Sequence, residues 1–291
     1  MANTLEFLQG GSINEQVAER ILVYGRAGVG KTRFGLSLTP RFGKIAYFAA
    51  DKNSWLLQSI DRKKRDRVLV VKPKGEDPTA LFMQFCMTDW AEVDPEINTL
   101  VVDTYTKVAM DAIAYTANTN AVDRERHYIV GEVGKGGVAI PNRGDYQAID
   151  SLSKGFLDML FDKQDKMNIV FLCHEDSKQV EGMTAMGGPS HPGRQMIDYL
   201  PAQFSTVVRL IRADGEFDPE KGELESKVVA ISENDGKYVA KMRLEDEEAE
   251  NPMARVVLNR NPVNWWEQYD ALHGFTDEPK PKKTTTNKRG K

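Results

Sequence analysis

Only two cysteines, Cys86 and Cys173, occur in 291 residues. They lie far apart and lack ligand spacing, so neither a disulfide framework nor a cysteine-based metal site is indicated. Cys173 sits inside an apolar segment and reads as a small core residue. No run of about 18 apolar residues is present, which argues against a membrane-spanning helix. The opening Met1-Ala2-Asn3-Thr4-Leu5-Glu6 lacks the basic-then-apolar layout of a secretory signal. A reduced, cytoplasmic setting is therefore expected. There is no basic excess either: the net charge is −4, so no global positive field draws nucleic acid. Charge is local instead. Glu245–Glu250 is acidic and reads as a solvated loop. Pro279–Lys291 is basic, has no apolar residue and reads as disordered. Two roles stay open for this tail: contact with nucleic acid or an acidic partner, and simple solubilisation.

What the chain does have is a phosphate-binding pattern. Gly25-Arg26-Ala27-Gly28-Val29-Gly30-Lys31-Thr32 matches G-x-x-x-x-G-K-[ST] at every fixed position. The apolar Arg20–Tyr24 before it reads as a buried parallel strand, and Arg33–Leu38 after it as the first turns of a helix. The glycines let the backbone aim its N–H groups inward. The helix start adds free N–H groups and partial positive charge. The whole stretch Gly25–Thr32, with Arg33 beside it, is the expected cradle for a polyphosphate. Lys31 is expected to reach the β- and γ-phosphates. Thr32 is expected to offer its hydroxyl to Mg²⁺. Thr99–Asp103 is a second apolar run ending in an acid, which reads as a strand with Asp103 at its carboxyl end. After a phosphate loop, such an acid is expected to hold Mg²⁺.

Strand and helix patterns alternate along the chain. Strands are expected at Ile21–Tyr24, Lys44–Ala50, Arg67–Val71, Thr99–Asp103 and Asn168–His174. Helices are expected at Thr79–Trp90, Val108–Tyr115 and Tyr146–Phe161. This alternation predicts an α/β fold with a mostly parallel sheet flanked by helices. Beyond about residue 200, Phe204–Arg212 and Lys227–Ile231 read as strands. Asn234–Lys237 reads as a hairpin turn into a returning strand, Tyr238–Arg243, giving an antiparallel extension. Trp265–Tyr269 reads as a short closing helix whose tryptophans serve packing or base stacking. Two glycine-rich stretches, Gly131–Gly137 with Pro141–Gly144, and Gly182–Pro189, read as loops. Lys135, Arg143, Lys178 and Arg194 are placed there, either to meet a polyanion or as ordinary surface charge.

These motifs, the strand ending in Asp51 and the run Val170–Glu175 resemble RecA-like P-loop ATPases. The likeness is closest to the phage-encoded nucleotide-binding proteins of single-strand annealing and recombination. It covers roughly residues 18–215, leaving 1–17 as an N-terminal segment. Residues 216–275 would be the antiparallel extension with its closing helix, and 276–291 the basic tail. The resemblance implies roles for particular residues. Asp51 takes the place of the acid that polarises the attacking water, although it is one methylene shorter than the usual Glu and also suits a capping role. His174 takes the place of the γ-phosphate sensor, with a structural role as the alternative. Glu175 is a further candidate for metal or water contact. Lys31, Asp51, Asp103 and His174 are thus the expected catalytic set, Thr32 and Asp103 the metal ligands, and ATP and Mg²⁺ the cofactors.

The resemblance also implies a ring or filament of identical subunits. In it a neighbour's basic residue, Arg209, Arg212 or Lys227, would stabilise transferred charge. It further implies a cytoplasmic ATPase of DNA recombination, repair or replication (in the host cytoplasm if phage-encoded), with single-stranded DNA as effector and a single-strand-binding or replication protein as possible partner. A nucleotide-dependent binding module with little hydrolysis is the competing expectation. A small-molecule kinase is a third, without an evident acceptor site. No guanine-reading motif is apparent, which favours ATP.

Overall fold

The computed structural model describes residues 18–50, 62–74, 77–120, 129–130, 138–176, 187–193, 195–213, 217–218, 223–224, 227–244, 250–258 and 262–275. In chain order the strands are β1 (Arg20–Gly25), β2 (Lys44–Ala49), β3 (Val68–Val71), β4 (Ile97–Asp103), β5 (Ile129–Val130), β6 (Val138–Ala139), β7 (Asn168–Asp176), β8 (Gly188–Pro189), β9 (Thr206–Ala213), β10 (Phe217–Asp218), β11 (Glu223–Leu224), β12 (Lys227–Ile231), β13 (Lys241–Met242) and β14 (Arg255–Leu258). The helices are α1 (Lys31–Gly35), α2 (Pro78–Met87), α3 (Trp90–Val93), α4 (Tyr105–Asn120), α5 (Arg143–Lys163), α6 (Met196–Ala202) and α7 (Val263–Leu272).

The main sheet runs β14-β12-β9-β1-β7-β4-β2-β3. From β9 to β3 every pairing is parallel. β12 and β13 pair antiparallel with β9, and β14 pairs antiparallel with β12. This is an α/β fold, a largely parallel sheet with helices on both faces. The strand period of two divides the core into two layers. Leu22, Tyr24, Leu100, Val102, Phe171 and Cys173 belong to one. Ile21, Val23, Val101, Val170 and Leu172 belong to the other, where α1 and α7 also pack. Both cysteines are buried free thiols. No described helix is long and apolar enough to cross a membrane.

Several local expectations change. The helix expected at Thr79–Trp90 is two helices. Asp77 caps the first, its carboxylate accepting from the Thr79 and Ala80 N–H groups, and the backbone turns extended at Thr88 before Trp90 begins the second. The Pro141–Gly144 stretch is not a loop throughout. Asn142 caps α5 in a reciprocal box with Asp145, which puts Arg143 on the helix as an exposed first residue.

The hairpin at Asn234–Lys237 is also different. Tyr238–Arg243 does not return along β12, whose far edge is already filled by β14. β13 joins β9 instead, opposite Val207 and Thr206, beside the stretch Arg209–Ala213 that β12 occupies. The chain therefore leaves the β9 edge after Ile231 and rejoins it further along. Asn234 and Asp235 close the turn by accepting from backbone N–H groups of residues 236–238. Gly187 then binds the excursion on both sides, donating to the Lys237 carbonyl and accepting from Val239 N–H. The tryptophans of α7 are packing residues: both are fully buried, and Trp266 Nε1 donates to the Phe34 carbonyl at 3.0 Å.

Candidate nucleotide-binding site

The strand order builds the site. β7 lies between β1 and β4, so Gly25 registers with His174 on one side and Leu210 on the other. Asp103 registers with Leu172. The carboxyl ends of β1, β7 and β4 thus bring the phosphate loop, His174 and Asp103 to one edge of the sheet, where open α/β folds bind ligands.

Gly28 and Gly30 have φ of 74° and 102°, conformations that a side chain would strain. Gly25 is needed for room, because a Cβ there would meet the Leu210 backbone. Arg26, Ala27, Gly28 and Gly30 are exposed around the loop, while Val29 anchors it in the core at 3% exposure. The following helix is shorter than its sequence suggests, ending at Gly35, with Ser37 Oγ turned back onto the Arg33 carbonyl. A five-residue helix has little macrodipole, so the cup depends mainly on loop N–H groups and on Lys31. Arg33 is exposed.

Lys31 is buried and donates to the Gly25 and Arg26 carbonyls at 2.9 and 3.0 Å. Its Nζ lies 3.4 Å from His174 Nδ1. Asp103 is 4% exposed, and its Oδ2 accepts from the hydroxyls of Thr32 and Tyr47. Thr32 and Asp103 therefore present two oxygen donors side by side, the hard ligands that a nucleotide-bound Mg²⁺ takes, and the residues fit that ion. His174 is held from behind: its N–H donates to Thr106 Oγ1, which donates to the Ser190 carbonyl. The structure thus brings together Lys31, Thr32, Asp103 and His174. Asp51 lies outside the described residues, as do Lys135, Lys178 and Arg194.

Two of the three basic residues expected to act from a neighbour, Arg209 and Arg212, have partners in their own chain. Arg209 makes a two-pronged ion pair with Glu175, at 2.9 and 3.2 Å, and lies 3.2 Å over the Tyr238 ring. Burial lowers its pKa, but the Glu175 hydrogen bonds and charge outweigh this and hold it above the usual value. Arg212 donates to the Gly28 carbonyl at 2.9 Å. Lys227 is exposed at the start of β12. Glu175 also faces Arg26 at 3.7 Å, so within this chain it is an ion-pair partner to the loop and to β9. Burial pushes the Tyr24 phenol up, and its hydroxyl donates to the Val239 carbonyl. Cys173, behind His174, is raised by burial to about 12.

Sequence reasoning missed Tyr47. Its signal was a tyrosine two residues from the end of an otherwise apolar strand. The Glu175–Arg209 pair had no local signal, since its members lie 34 residues apart.

The AAA domain family matches residues 18–244 of the chain. A search of curated proteins finds no match. Among solved structures, a DnaB-like replicative helicase, described with its interactions with primase, is similar at a TM-score of 0.44 and 13% identity. The alignment covers 82% of this chain, which spans 56% of the helicase.

Proposed function

The chain belongs to the AAA domain family, and on that premise we propose that it is an ATPase that binds Mg–ATP at the Lys31 loop and hydrolyses it. The observation that carries this reading is the convergence of Lys31, Thr32, Asp103 and His174 at one sheet edge. When bound, Mg²⁺ would offset phosphate charge. Lys31 would turn from its two carbonyls to the β- and γ-phosphates. Thr32 and Asp103 would hold the ion, and His174 would meet the γ-phosphate as sensor. Water attacks the γ-phosphorus, the bond to the bridging oxygen breaks, and ADP and phosphate leave. Stabilising the charge that develops is the main work of such a site.

We further propose a role in phage-type DNA recombination, repair or replication, with single-stranded DNA as effector and assembly into a ring or filament. Support for this comes from the motif resemblance to RecA-like ATPases. A second reading is a binding module that hydrolyses ATP slowly. It is favoured by the pairing of Glu175, the acid that follows His174, with Arg209.

The test is turnover by Lys31→Ala, measured with and without single-stranded DNA. A loss of at least about 100-fold is expected, the scale of removing one charge-stabilising group. Equal turnover in a folded variant refutes the assignment.

A further inference from the structure

Asp103 is buried, and buried carboxyl oxygens require hydrogen-bond partners. One donor to Oδ2, Thr32, belongs to the phosphate-loop pattern. A second, the Tyr47 hydroxyl, belongs to no motif. Tyr47 stands on β2 opposite Val101, so it is diagonal to Asp103 on the same sheet face. The diagonal of a sheet is within reach only of long or aromatic side chains. Its ring is 1% exposed in the apolar layer that also holds Phe34, Val101 and Leu172. For packing alone, phenylalanine would serve there. The hydroxyl is what needs a reason, and the atom it meets is an oxygen of the candidate metal ligand.

We propose that Tyr47 is a positioning residue for the divalent cation that accompanies the nucleotide. Its O–H fixes Oδ2 from the β2 side while Thr32 fixes it from the α1 side. The plane of the carboxylate is thereby set before the cation arrives, and Asp103 meets the ion without rotating. Thr32 can keep donating its hydrogen to Oδ2 while its oxygen lone pair faces the cation. Tyr47 remains on the carboxylate and never touches the ion. This inference rests on the nucleotide site proposed above and assigns it a residue that the loop pattern does not contain.

Tyr47→Phe tests it, because the ring keeps its place and only the hydroxyl is lost. Mn²⁺ is titrated into full-length protein holding a non-hydrolysable ATP analogue, and bound Mn²⁺ is read by electron paramagnetic resonance. Loss of an outer partner of a metal ligand lowers affinity by about 10- to 100-fold. Half-saturation in Tyr47→Phe is expected at about tenfold higher Mn²⁺. Analogue affinity in EDTA should match the wild type, which a merely structural defect would not allow. In an Asp103→Asn background, the same change should no longer shift the Mn²⁺ titration. An unshifted titration in Tyr47→Phe, beside a wild type that binds Mn²⁺, overturns the role of Tyr47 and leaves the nucleotide site standing. A wild type that takes up neither analogue nor Mn²⁺ overturns both.

Discussion

Replacing Gly25 by alanine should damage fold and nucleotide binding together, for a reason unlike that at the other loop glycines. The new Cβ would fall well inside van der Waals contact with the Leu210 carbonyl oxygen, 3.3 Å from its carbon and 3.0 Å from Val29 Cγ1. Leu210 is backbone in β9, held by β1 on one side and β12 on the other. Relief therefore requires prising β1 and β9 apart at the root of the loop. Overpacking of this kind costs about 1–3 kcal/mol, and a lost ladder hydrogen bond adds about 1 kcal/mol. The expected loss is about 3 kcal/mol in urea unfolding, with nucleotide binding by calorimetry greatly weakened. Gly28→Ala is the contrast. Its Cβ would meet nothing within 4 Å, and the cost is only that of φ 74°, about 1–2 kcal/mol. If Gly25→Ala unfolds within about 0.5 kcal/mol of wild type, the range of ordinary surface changes, and binds nucleotide normally, then the β1–β9 contact does not set the loop.

Arg209→Ala should cost about 3–5 kcal/mol, because the Glu175 side chain, 2% exposed, is left without its two-pronged partner. A double-mutant cycle with Glu175→Gln checks this, and coupling below about 0.5 kcal/mol would contradict it. The thiols give a pH prediction. Burial raises Cys173 to about 12 and Cys86 further, both from 9.0, so the folded state favours the protonated form. That stabilisation is fully present below pH 9 and is lost as pH rises from 9 toward 12. A thiol reagent at pH 8 should find no reactive cysteine in native protein and both in urea.

The loop and its acid were legible because their chemistry is written in consecutive residues: eight from Gly25 to Thr32, and an apolar run closed by Asp103. Which strand lies between them is not written locally. The insertion of β7 that brings His174 beside Lys31 is settled by long-range pairing. Composition around Asn234-Asp235-Gly236 correctly marks a turn, but a turn does not name its strand partner, and β14 had already taken the edge. Asn142 stands among glycine and proline neighbours that favour a loop, although its spacing to Asp145 is a helix-start signal. The partners of Arg209 and Arg212 lie across a neighbouring strand and loop of the same chain, contacts that local sequence does not specify.

The Phe34 carbonyl, on the short helix that carries Lys31, accepts from Trp266, a residue 232 positions later. Phe34 also packs against both tryptophans, with ring centroids 5.1 and 4.9 Å away. During synthesis, then, the loop is made early and its support late. A nascent chain would carry the whole phosphate motif while the tryptophans that pack against Phe34 were still to be made.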